Sequence, residues 1–143
     1  MRMPVSFIAP SLALAGALTF AACKESTGTS CGSGTAPVVV GTYTLASYTV
    51  GITRIDTTMG ASGQLRFYAS AYGFDASFPV VGAVADSGTY VITGTKCMDE
   101  TSVMGQGSTS GTFTITGTTP GSVLSFTGTN SLAGTVGFVG VKQ

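Results

Sequence analysis

From residue 41 onward, apolar and hydroxyl side chains alternate with a period of two. In GTYTLAS (41–47), Tyr43 and Leu45 alternate with Thr42 and Thr44. In GTYVITGT (88–95), Tyr90 and Ile92 share one face, with Val91 and Thr93 on the other. In GTFTITGT (111–118), Phe113 and Ile115 oppose Thr112, Thr114 and Thr116. A period of two with polar partners gives strands with one face on a core and one in water. The same rule sets Leu65 with Phe67 in residues 64–69, Leu124 with Phe126 in 122–128, and Val136 with Phe138 in 134–141. TTPGS between the third repeat and the 122–128 segment reads as a hairpin turn. Residues 71–84, interrupted by Gly73, Pro79 and Gly82, and residues 98–104 carry weaker strand signals. Gly recurs too often for a helical period to persist.

The Gly-Thr-aromatic openings at 41, 88 and 111 are strand starts and not a repeated binding unit. Their spacing, about 47 and then about 23 residues, is too uneven for a solenoid. Their shared chemistry is limited to hydroxyls and one ring. The expected fold class is all-β: an antiparallel up-and-down barrel of about eight strands, with a β-sandwich as the alternative, because alternation does not reveal whether a sheet closes.

GTYTLAS also resembles the G-x-W-x-L-x-S opening of lipocalin-like barrels, through Gly41, Leu45 and Ser47. Tyr43 stands where that family has Trp. In the family the Trp plugs the closed end of the barrel under a basic residue from near the chain end. The resemblance implies those roles for Tyr43 and for Lys142, in cation–π contact.

Ahead of this domain lies a different kind of sequence. MRMPVSFIAPSLALAGALTFAAC has one basic residue, an apolar run and small residues before Cys23, the layout of a helical signal peptide. Its ending, Phe20-Ala21-Ala22-Cys23, resembles the lipobox of bacterial lipoproteins, with Phe20 in a place the family gives to an aliphatic residue. That resemblance implies cleavage between Ala22 and Cys23 and acyl chains on Cys23. Each buried methylene would contribute about 0.8 kcal/mol to anchoring. Lys24 follows, without the Asp retention signal of enteric sorting, which implies the outer membrane or cell surface, on the periplasmic side of export. Secretion without a lipid and an uncleaved transmembrane anchor are the alternatives. The expected organisation is 1–22 signal peptide, 23–37 lipidated cysteine and flexible Ser/Thr/Gly tether, and 38–143 β domain.

Two further cysteines, Cys31 and Cys97, suit an exported chain as a disulfide. Closing a loop of about 65 residues stabilises by up to ~4 kcal/mol on the chain-entropy model. Free thiols and an intermolecular bridge are the alternatives.

Composition narrows the function. Charged residues are 8% of the 143 and the formal net charge is zero, which lacks the basic field nucleic-acid binding requires. There is no histidine, so neither a Ser-His nor a Cys-His pair exists, and the expectation is a non-enzyme without cofactor or metal. Asp99-Glu100, in an expected loop, is the one acidic cluster. A solvated loop is its ordinary reading, and calcium shared with Asp86 is the alternative. A membrane-spanning barrel is disfavoured because the strands look shorter than the about 9–11 residues a span needs.

The aromatic residues carry the remaining question. Tyr43, Phe67, Tyr90, Phe113, Phe126 and Phe138 share the inner faces of their strands. Rings on so many strands favour a filled core. Small residues after them (Ala69, Gly94, Gly117, Gly128) leave room at one end. Two readings follow: a barrel binding a small hydrophobic ligand, with Tyr43, Phe67, Tyr90, Phe113 and Phe126 as candidate contacts, or a filled structural or interaction module with a surface patch around Tyr48, Val50 and Ile52.

Overall fold

Among the described residues nine strands form, most of them where the period of two runs unbroken: β1 (Gly41–Val50), β2 (Thr53–Asp56), β3 (Ser62–Phe67), β4 (Ala71–Phe78), β5 (Gly82–Thr93), β6 (Cys97–Ser102), β7 (Ser108–Thr116), β8 (Val123–Asn130) and β9 (Gly134–Lys142). This computed structural model describes residues 30–143; the expected signal peptide, Cys23 and the tether up to residue 29 lie outside the described residues. The two weak segments do form strands, 71–84 as β4 and the start of β5, and 98–104 as β6 up to Ser102. The turn at residues 79–81 separates β4 from β5, and β6 carries both Asp99 and Glu100.

From β3 to β9 each strand pairs antiparallel with the next, and β9 returns to β1. The sheet is therefore a closed eight-stranded barrel with one extra strand. That closure decides between the barrel and the sandwich. The extra strand is β2, which pairs with residues 47–50 of β1, while β3 pairs with residues 41–44 of the same edge. A 3-10 turn, Thr57–Met59, joins β2 to β3, and Asp56 caps it by accepting from the amides of Thr58 and Met59 at 3.0 and 3.2 Å.

β1 contains a bulge. Leu45 pairs with Gly140 and Ser47 with the adjacent Val139, so Ala46 is an additional residue in the ladder. An inserted residue reverses the alternation beyond it. Tyr43 and Leu45 point inward before the bulge. Beyond it Tyr48 does, its ring stacked on Phe74 with centroids 5.4 Å apart. Tyr48 is thus an interior residue, and of the surface patch expected around it only Val50 and Ile52 are exposed.

One end of the barrel is filled. Tyr43, Leu45, Met98, Phe113 and Leu124 are almost completely buried there, with Phe67 and Tyr90 set edge-on at 5.2 Å. The Tyr43 hydroxyl donates to the Val39 carbonyl at 2.8 Å, and Lys142 Nζ lies 5.7 Å from the Tyr43 ring centroid. Lys142 also crosses Gly41, where a Cβ would sit 2.6 Å from its Cε. The Gly and the ring of the GTYTLAS opening both serve this plug, which is the arrangement the lipocalin-like resemblance implies.

Cys31 is bonded to Cys97 at the same end. Its carbonyl accepts from the amides of Thr95 and Lys96 at 2.8 and 3.2 Å in the β5–β6 turn. The segment expected to be flexible up to residue 37 is therefore fastened to the barrel from Cys31 on.

The outer face is rich in hydroxyls. On β7 and β8 it is a ladder of Thr112 with Thr127, Thr114 with Ser125 and Ser110 with Thr129. The Arg66–Asp75 ion pair, 2.7 Å, lies on it as well. Four strands reach nine or more residues, longer than expected. The polarity is nevertheless the reverse of a membrane-spanning barrel, which turns an apolar band outward.

Candidate functional site

Opposite the plug, the interior holds a cavity of about 260 Å³. Its inner wall is apolar: Leu65 of β3, Phe74 of β4, Val84 of β5, Phe126 of β8, and Val136 and Phe138 of β9, with Tyr48 from beyond the bulge. Phe126 and Phe138 stack at 5.2 Å and form the boundary with the filled end. Gly128 lies beneath Phe126, where a Cβ would meet that ring at 2.8 Å. Of the small residues expected to leave space, Gly128 is the one on the cavity side. Ala69, Gly94 and Gly117 lie in turns at the plugged end. The cavity exists because the inward positions near the other end carry shorter and polar side chains.

Asp86 is the centre of that polar group. Its carboxylate accepts from the Tyr72 hydroxyl and the Ser87 amide, at 2.7 and 2.8 Å, and from the Ser102 hydroxyl. Ser102 in turn accepts from the amides of Met104 and Gln106, so the β6–β7 loop is organised around the same carboxylate. Three donors on two oxygens suit an acceptor-only carboxylate.

Glu100 also faces the cavity. It has no hydrogen-bond or ion-pair partner among the described residues. Burial, and then the negative charge of Asp86, push its carboxyl up to about 7. Tyr48 and Tyr72 are raised above the ordinary phenol value, each first by burial. Glu100 and Asp86 add to the rise at Tyr48, and the hydrogen bond to Asp86 adds to it at Tyr72. Among the described residues no Lys or Arg lines the cavity.

The mouth is closed in on one side by Asn130. Its amide donates to the Gln106 carbonyl at 3.0 Å and to Thr109 Oγ1 at 2.9 Å, and accepts from the Leu132 and Ala133 amides at 2.8 and 2.9 Å. Around the same end the loops present exposed apolar side chains: Ile52, Met59, Val80, Val81, Val103, Met104 and Leu132.

Of the five residues expected to contact a ligand, Phe126 lines the cavity. Tyr43, Phe67, Tyr90 and Phe113 do not; they are buried in the filled end. On sequence neither acid is assigned to the interior: Asp86 falls between the expected strand segments 71–84 and 88–95, and Glu100 in an expected loop. Counting by twos back from Tyr90 reaches Asp86, and forward from Met98 reaches Glu100, so their inward parity was in the sequence. Asp99, on the opposite face of β6, is exposed. Among the described residues no group of three or more His, Cys, Asp or Glu is placed to hold a metal ion. Compared with known families, curated proteins and solved structures, the chain matches none.

Proposed function

We propose that this chain is a lipocalin-like lipoprotein of the bacterial envelope, anchored through Cys23, whose barrel binds a small hydrophobic ligand. The observation that carries the ligand reading is the cavity: one end of an otherwise filled barrel is left open over a floor of stacked rings. Its volume is near the lower limit for ligand pockets, ~300 Å³, so the ligand is small.

The disulfide sets where the tether leaves the barrel. Cys23 precedes Cys31 by eight residues, a reach of at most about 29 Å. Cys31 is held at the plugged end, so that end stays within this reach of the anchor. A second reading, a protein-interaction module without a ligand, is favoured by the apolar side chains on the mouth loops, since exposed apolar patches mark interaction sites.

Methyl NMR with 1-octanol separates the two. Binding in the cavity shifts Leu65, Val84 and Val136 and leaves Leu45 unchanged; no saturable shift at any of them defeats the ligand reading. For the anchor, Cys23→Ser is expected to release the protein from membranes, and unaltered membrane retention contradicts it.

A further inference from the structure

The cavity combines two features that seldom occur together without a reason. Its wall is apolar and aromatic, yet Asp86 and Glu100 both face it and, among the described residues, no Lys or Arg lines it to neutralise them. A carboxylate removed from water is unfavourable unless paired or hydrogen-bonded. Asp86 is satisfied by three donors. Glu100 is not: it presents to the cavity a carboxyl without a hydrogen-bond or ion-pair partner among the described residues.

We propose that the ligand is a small amphipathic cation, a protonated amine whose ammonium group lies between Asp86 and Glu100 and whose hydrocarbon body lies on Phe74, Phe126 and Phe138. This rests on the ligand-binding reading above and names the class that reading leaves open. An ammonium supplies donors to Glu100 and to the lone pairs Asp86 has free. The aromatic ring of Tyr48, which also lines the cavity, attracts the same charge. A fatty acid meets the opposite situation, with two carboxyls facing its own. Size agrees as well: at roughly 30 Å³ for each water-sized unit, the cavity holds about nine non-hydrogen atoms, the size of octylamine.

Equilibrium dialysis of the full chain in phospholipid nanodiscs, with protein-free discs as blank, compares octylammonium, 1-octanol and octanoate at pH 8. The expected result is one octylammonium per chain, held at least about tenfold more tightly than octanol, with octanoate weakest. Glu100→Gln removes most of that preference and leaves octanol binding unchanged. It breaks no hydrogen bond, so its fold is retained, and Asp86→Asn is the second variant. Octanol or octanoate binding as tightly as the amine overturns the cationic class while the pocket stands. Failure of all three to bind overturns the pocket itself, and the cation with it.

Discussion

The Tyr72 hydroxyl donates to Asp86 at 2.7 Å inside the barrel, joining β4 to β5 across the wall of the cavity. The ladder sets Phe74 opposite Asp86 and Tyr72 opposite Gly88, so this bond runs diagonally between the two strands. It fixes the carboxylate without filling the cavity.

Tyr72→Phe removes a donor from a part-buried carboxylate and is expected to lower stability by about 2 kcal/mol in urea unfolding. The phenol itself is raised far above its ordinary value by burial and by Asp86, so Tyr72 should remain protonated until the barrel unfolds in alkali. A tyrosine that ionises in the folded chain at ordinary phenol pH and is lost in Tyr72→Phe contradicts this.

Glu100 predicts the sign of a pH effect. Its folded value of about 7 lies above the ordinary 4.5, so within that window the folded chain holds a proton that the unfolded chain has released. Stability then falls as pH rises through the window and levels off above it, by no more than about 3 kcal/mol. The groups facing Glu100 are Asp86 from β5, Tyr48 from β1, Tyr72 from β4 and, opposite it in the ladder, Tyr90. Glu100→Gln should flatten the curve and be the more stable form at pH 8. Parallel curves for the two proteins would show that Glu100 titrates normally.

The filled end and the cavity separate in mutation. Phe113→Ala should cost about 3–5 kcal/mol through the void it creates, and leave ligand binding intact in the protein that folds. Val136→Phe should occupy the cavity and abolish binding at a cost of about 1–3 kcal/mol. Equal binding by Val136→Phe and the parent would place the ligand elsewhere.

Much of the plugged end was legible in advance because nothing interrupts the period of two there: Tyr43, Phe67, Tyr90, Phe113 and Leu124 all lie inward as their alternation requires. The cavity was harder to read for a physical reason. The bulge at Ala46 reverses the facing of Tyr48, and no residue type announces such an insertion. Polar side chains at inward positions, Asp86 and Glu100, imitate the end of a strand. Closure between β1 and β9 is a pairing between distant segments, which local alternation does not encode.

The Cys31–Cys97 bond encloses a sequence separation of 66 residues. Replacing both cysteines by serine should lower stability by up to ~4 kcal/mol on the chain-entropy account. It should also free residues 31–36 to proteolysis while the barrel resists. Full protection of that segment in the double variant would show that the hydrogen bonds of Cys31 to Thr95 and Lys96 suffice.

The most direct measurement is native mass spectrometry of the Cys23→Ser chain, exported to a periplasm, purified without detergent and then offered octylamine. An occupied cavity predicts one added mass of roughly 100–200 Da, present on purification or after the amine is supplied, and lost on denaturation. A bare mass under both conditions contradicts the account and leaves a barrel that works through its surface.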